Sequence, residues 1–446
     1  MPRGINPFSL VGQPCLGISM ARFILIVFIL LVLSVPACAE PPQPQRSIDA
    51  LIKEVLARNP EIAFYQAEID AARAGRSVAG RMSNPELSVE LGRKRVTSPE
   101  SAAAEGLAYA VSISQPIEWP GRLGLRKAIA NRDIRLAELG LERFKFHLAS
   151  KVRVIAYRLA SQQEISVAAN EVADRYSDLK AVMVQREPAG IAPQLEVRTI
   201  EAAAIIAQSR AAKADIEVQK GLLELNRLIG ARADSPLVVV RPPFVLADLP
   251  STEMLFWNAS ENNYDLRIRR SELEQQGFKV KLAKNERYPT FTVGPFLSQE
   301  RASNEKETVV GVNFSVPVPV WNDGKANVSI AQSRQMQALA TLHAAQRDIE
   351  KQVMESVILF KSQQKRLNLW KGQGVAKFRE AASLADRHYR LGAVPIATYV
   401  ELQDKYLEAV EAINEAQAQA LEAALSLEEL TGTPTTIVQP FKQKAD

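Results

Sequence analysis

Three histidines and two cysteines are all the imidazole and thiol that this chain of 446 residues carries. His147, His343 and His388 stand far apart, so neither a histidine metal cluster nor a histidine-based catalytic pair can be read from them. The zinc-protease pattern H-E-x-x-H, the phosphate loop G-x-x-x-x-G-K-[ST] and the nucleophile elbow G-x-S-x-G are all absent. "NDGK", Asn322 to Lys325, reads as a turn that closes a strand rather than a phosphate loop. Carboxylates are plentiful, but they sit among basic residues at helical spacing, as on solvated helix faces. The expectation is a protein that is not an enzyme, with no cofactor and no metal site of its own.

Charge and cysteine usage narrow the class further. The formal charge is +5, with basic and acidic residues interspersed, which is no case for nucleic acid. "FILIVFILLVLSVP", Phe23 to Pro36, follows Arg22 and precedes "ACAE", the layout of a secretory signal peptide over residues 1–39. Met20 is an alternative start. The apolar run is short for a membrane span, which needs about 20 residues. Two exits compete. Ala37 and Ala39 favour ordinary cleavage before Glu40, whereas "VPAC" resembles a lipobox that would leave Cys38 acylated. With Cys15 also in the leader, the body has no disulfide framework.

Self-similarity organises the rest. Pro85 and Pro289, Pro116 and Pro319, Gly121 and Gly324, Gly190 and Gly392, and Gly230 and Gly432 recur at an offset constant to within two positions. The chain therefore divides into a first repeat over 40–232, a Pro-rich crossover over 233–250, a second repeat over 251–432 and a tail over 433–446. Each repeat opens with a helix, Ser47 to Arg81 or Thr252 to Arg287. A pair of alternating segments follows, then a very long helix, a Gly/Pro turn and a returning helix. The crossover has a short strand at Leu237 to Val240.

The alternating segments predict strands with one apolar and one polar face. Leu87, Val89 and Leu91 alternate with Glu86, Ser88 and Glu90. Leu107, Tyr109, Val111 and Ile113 alternate with small residues. Phe291, Val293 and Leu297 repeat the pattern with Pro295 interrupting it, and Val310, Val312, Phe314 and Val316 complete it. In an exported chain this is the pattern of transmembrane barrel strands. Four strands cannot close a barrel, so several chains must contribute to one.

The returning helices carry unbroken apolar heptads with Ala-rich centres. One runs from Val197 and Ile200 to Leu225 and Leu228, the other from Tyr399 and Leu402 to Leu427 and Leu430. From Gly121 to Pro188 no proline interrupts the chain, enough for a helix about 100 Å long. Lys325 to Arg390 allows the same length, with Gly372 and Gly374 as a bend. A globular domain has no use for such hairpins.

The segments "NPELSVELG", "SQPIEWPGRLGLRKAIA", "VGVNFSVPVPVWNDGKANVSIAQ" and "YRLGAVPIATYVELQDKYLEAVEAINEAQAQALEAALSLEELTG" resemble the outer membrane efflux protein family, the TolC type. "QPIEWPGRLGLR" is most similar to its cobalt–zinc–cadmium, CzcC-like branch. The resemblance covers roughly Ser47 to Gly432. It implies an α+β membrane protein. Long antiparallel coiled-coil hairpins would form a periplasmic α-barrel, and four strands per chain would join a trimeric 12-stranded outer-membrane β-barrel. It also implies a homotrimer in outer-membrane lipid, joined to a periplasmic adaptor and an inner-membrane pump of the resistance–nodulation–division class. Heavy-metal cations are the favoured cargo. Drug or type I protein secretion is the alternative, and a periplasmic coiled-coil adaptor or scaffold the more distant one.

Site residues follow by position in the family. The adaptor-docking tips would be Pro188, Gly190 and Pro193, and Leu391, Gly392 and Pro395. Glu196 falls at an acidic gate position and Tyr389 at the tyrosine that bonds to it. Glu401 falls at an acidic ring position facing the lumen. Thr398 departs from a double-acid ring, and Val394 stands where the family has a basic gate partner.

Overall fold

The structure is a computed structural model and describes residues 45–98, 101–185, 191–240, 244–302, 305–370, 375–433 and 438–440. The leader with Cys38, and the tip residues Pro188 and Gly190, lie outside the described residues. In the first half, β1 (Gln45–Ser47) leads to α1 (Ile48–Arg58), α2 (Glu61–Ala79), β2 (Glu86–Ser98), β3 (Ser101–Ile117), α3 (Arg122–Gln185) and α4 (Ile191–Ile229). Two crossover strands follow, β4 (Val238–Val240) and β5 (Phe244–Leu246). The second half runs α5 (Thr252–Asn262), α6 (Tyr264–Asn285), β6 (Phe291–Ala302), β7 (Glu305–Ser315), α7 (Lys325–Leu369), α8 (Val375–Arg390), α9 (Ile396–Thr431) and β8 (Val438–Pro440).

Equivalent residues do equivalent work in the two halves. Ser47 and Ser251 each cap a helix by accepting a backbone N–H three residues on, both at 3.3 Å. The single opening helix expected in each half is in fact two. Asn59 ends α1 in an extended conformation, accepts from the Glu61 amide at 2.9 Å and donates to the Leu228 carbonyl at 3.3 Å. Asn263 does the same between α5 and α6, accepting from the Leu266 amide at 3.1 Å and donating to the Leu430 carbonyl at 2.9 Å. Helical periodicity continues across both breaks, which is why the pattern reads as one helix. Gly121 and Gly324, and Gly230 and Gly432, all take positive φ.

Helix α3 is a continuous 64 residues, about 95 Å at 1.5 Å per residue. Its counterpart is two helices: α7 stops at Leu369, where the Trp370 amide bonds back to both the Arg366 and Leu367 carbonyls. "NDGK" does not close a strand, because β7 has already ended at Ser315. Asn322 and Asp323 accept the amides of Gly324 and Lys325 at 3.1 and 3.0 Å, a turn that launches α7.

The long strands form one four-stranded antiparallel sheet in the order β2-β3-β6-β7, leaving β2 and β7 as edges. Register carries the apolar residues into rows: Val89 faces Val111, which faces Leu297, which faces Val310. Pro295 sits in β6 opposite Val312 without breaking the strand. The expected crossover strand is β4, pairing in parallel with β1, while β5 pairs with β8. Both ends of the described chain are thus tied to the crossover.

The heptad seams are core. Ile200, Ala204, Ala207, Ala211 and Ala214 of α4 are buried with Ala169, Val172 and Tyr176 of α3, and with Tyr399 and Tyr406 of α9. Leu51, Val55, Val152, Leu225 and Leu421 fill a cluster beside the crossover. Leu255, Val353, Phe360 and Leu427 fill its second-half counterpart. Where helices meet the sheet, buried Arg122 donates to Asn285, Thr290 and the Tyr288 carbonyl, the last at 2.7 Å. Beside it Trp119 stacks on Tyr288 at 4.7 Å.

A Cβ on Gly432 would stand 2.2 Å from the Asn262 carbonyl oxygen, besides adopting positive φ. Gly432→Ala is therefore expected to cost more than about 2 kcal/mol, against about 1 kcal/mol for Gly392→Ala, whose Cβ meets nothing. Comparing the heat-induced unfolding of the two variants checks the order.

Candidate functional site at the far end of the helices

The end of the helical hairpins remote from the sheet brings α3, α4, α8 and α9 together, and the second tip turn is built there. Gly392 takes a φ of 73°, its amide returns to the Tyr389 carbonyl and the Ala393 amide to the His388 carbonyl, both at 2.9 Å. That pair of bonds closes a helix on a left-handed glycine. Pro395 then starts α9, its carbonyl accepting from the Tyr399 amide at 3.2 Å. Leu391 is exposed at the turn. Pro193 lies in the first turn of α4, where its missing N–H costs nothing.

Above this turn three tyrosines form a stack. Tyr389 lies parallel to Tyr399 at 5.2 Å, and Tyr176 meets Tyr399 edge-on at 5.6 Å. Tyr399 is wholly buried, and its hydroxyl donates to Asp386 at 3.4 Å. Asp386 is also held by Arg390 at 3.0 Å. Burial pushes the Tyr399 and Tyr176 phenols well above their ordinary range, with Asp386 adding to the first and Asp404 to the second. Tyr389 is raised chiefly by burial and then by the carboxylate of Glu196. Glu196 on α4 and Tyr389 on α8, 193 positions apart in sequence, are thus within electrostatic reach of each other.

Glu401 is exposed on α9 and acts on Lys405, whose ammonium is raised first by its bond to Glu408. Thr398 is half-buried one turn earlier, and Val394 is half-buried in the turn.

A second cluster lies farther from the tip and escaped the sequence. Glu171 of α3 binds Arg175 at 2.6 Å and Arg379 of α8 at 2.8 Å, with the Tyr406 hydroxyl at 3.5 Å. Arg175 also donates to fully buried Gln403 of α9 at 3.0 Å, and Gln403 donates to the Ala382 carbonyl at 2.8 Å. Three helices are joined through one carboxylate. Its only sequence signal was a polar Gln403 between two buried aromatic positions of the seam. These groups can latch helices and present charge; among the described residues no three His, Cys, Asp or Glu side chains group to hold a metal. No described helix is long and apolar enough to cross a membrane.

The family model described as outer membrane efflux protein matches residues 51–231 and again 255–433, and the chain belongs to that family. It is an outer-membrane channel of an efflux system, reaching into the periplasm and working with an adaptor and an inner-membrane pump. It is similar to the pyoverdine export outer membrane protein OpmQ of Pseudomonas aeruginosa, at 22% identity over 86% of this chain and 85% of that one. It is also similar to the nickel-cobalt-cadmium resistance protein NccC of Alcaligenes xylosoxydans xylosoxydans, at 22% identity over 70% of this chain and 68% of that one. The Campylobacter jejuni CmeC outer membrane channel shares the fold, with a TM-score of 0.68 at 15% identity over 86% of this chain and 85% of that one.

Phenols that are neutral and buried in the fold but exposed when unfolded favour folding below their ordinary value of 10.0. That contribution is lost as pH rises from there toward the folded values. Melting between about pH 9 and about pH 11 is expected to fall less steeply for Tyr399→Phe than for the parent chain.

Proposed function

We propose that this chain is one protomer of a trimeric conduit, each copy giving four strands to a 12-stranded barrel and its hairpins to a periplasmic α-barrel. The observation that carries the proposal is the open sheet: a continuous apolar face and two unpaired edge strands, in a protein of the outer membrane. Backbone groups left unpaired in hydrocarbon cost several kcal/mol each, so β2 of one copy pairs with β7 of the next. Trp119 and Trp321, the latter 96% exposed, flank the strand ends nearest the helices, as interfacial aromatics do. The division into repeats over 40–232 and 251–432 with a crossover over 233–250 accounts for the twofold element order. The leader over 1–39 and the fate of Cys38 belong to export.

Conduction is passive, and the energy comes from a pump of the resistance–nodulation–division class. Heavy-metal cations are the favoured cargo. NccC, a relative, is named for nickel, cobalt and cadmium resistance. The polar face of the sheet, which faces the lumen, carries Glu86, Glu90, Glu300, Glu305 and Glu307 against Lys94 alone among the charged described residues, a field that favours cations. OpmQ, named for pyoverdine export, supports a second reading, passage of a small organic chelator.

At the periplasmic end Glu196 and Tyr389 latch α4 to α8, and Thr398 and Glu401 line the opening. The adaptor docks on the tips at Pro188, Gly190 and Pro193, and at Leu391, Gly392 and Pro395. Breaking the latch loosens the closed end. Glu196→Gln and Tyr389→Phe are expected to raise single-channel conductance several-fold in a planar bilayer, and unchanged conductance in both sinks the latch.

A further inference from the structure

The two faces of the sheet carry opposite charge toward the hairpin end, away from the helices. On the polar face Glu300 of β6 stands directly opposite Glu307 of β7, a like-charge pair that should repel. The protein answers it. Lys94 of β2 stands opposite Gly106 of β3, which has no side chain to block it, and its ammonium reaches Glu300 at 2.6 Å and Glu307 at 3.4 Å.

One residue along, on the apolar face, Arg301 stands directly opposite Lys306, the mirror problem in the opposite sign. Both are exposed, and among the described residues neither has an ion-pair partner. Arg93 and Arg95 of β2 share this face, offset only by Glu105, which meets Arg95 at 3.8 Å. Four cations against one carboxylate border the apolar rows of Leu91, Leu107 and Tyr109. Among the described residues no further counter-charge meets them, and on the barrel reading they stand where hydrocarbon ends.

The geometry points to a lipid-binding surface: Arg93, Arg95, Arg301 and Lys306 dock the phosphates of outer-leaflet lipid head groups. The inference rests on the barrel reading above, in which the apolar face meets lipid. Guanidinium groups suit it, since they bind phosphate oxygens in bidentate fashion. A basic side chain beside an anionic surface gains measurable binding energy, and four in one patch act together.

The test uses the purified full chain in phosphatidylcholine vesicles containing lipid A with both phosphates or dephosphorylated lipid A. For the parent protein, phosphorylated lipid A is expected to raise the unfolding temperature by a few degrees. Arg301→Gln/Lys306→Gln loses that rise, yet in the dephosphorylated vesicles is at least as stable as the parent because the repulsion is gone. Lys94→Gln, on the other face, keeps the rise. An equal rise in the parent and the double variant, or no rise in the parent, overturns the assignment. Planar-bilayer conductance separates the two readings. Conductance without a phosphate effect overturns the lipid surface alone, and absence of both overturns the barrel reading with it.

Discussion

A backbone amide in hydrocarbon has no water to bond to, and that constraint organises the whole chain. Helices and closed barrels satisfy it, open sheets do not. Four strands in one chain leave two edges, β2 and β7, and on the proposed reading other copies complete the sheet. On that reading, everything below the sheet has to hold those edges in place for a neighbour. Hence the Arg122 knot, which fixes the start of a 64-residue helix to the loop entering β6, and the stack of Trp119 on Tyr288 beside it.

The helices meet a different demand. A helix about 95 Å long cannot be held by one globular core, so packing is spread along a seam. Near the crossover the seam is Leu-rich, and β1 and β8 pin both ends of the described chain there. Toward the far end it becomes alanine, which brings backbones close but buries little area per residue. The aromatic stack and the Glu171 cluster sit in this thin part. They supply directional contacts where apolar burial is weakest, and such contacts can be exchanged without dismantling a core.

Much of this was legible in the residues. Period-two alternation in Leu87 to Leu91 and Leu107 to Ile113 marked the strands and their faces, because successive side chains of a strand point to opposite faces. The heptads starting at Val197 and Tyr399 marked the seams, and recurrent Gly and Pro marked the duplication. Hidden were contacts between residues remote in sequence. Asn59 and Asn263 break helices through carbonyls more than 160 positions away. The Tyr176, Tyr399 and Tyr389 stack comes from three helices. Lys94 meets Glu300 and Glu307 only because register places Gly106 between them. Of the residues expected at a gate, Glu196 and Tyr389 come within electrostatic reach of each other, and Glu401 acts on Lys405.

The central claim is that the open sheet is closed by neighbouring copies. Its most direct test is the protein mass of the complex extracted from outer membranes in mild detergent, with bound detergent and lipid subtracted. The account predicts three chains. A stable, fully folded single chain would contradict it, since one copy cannot satisfy its own strand edges.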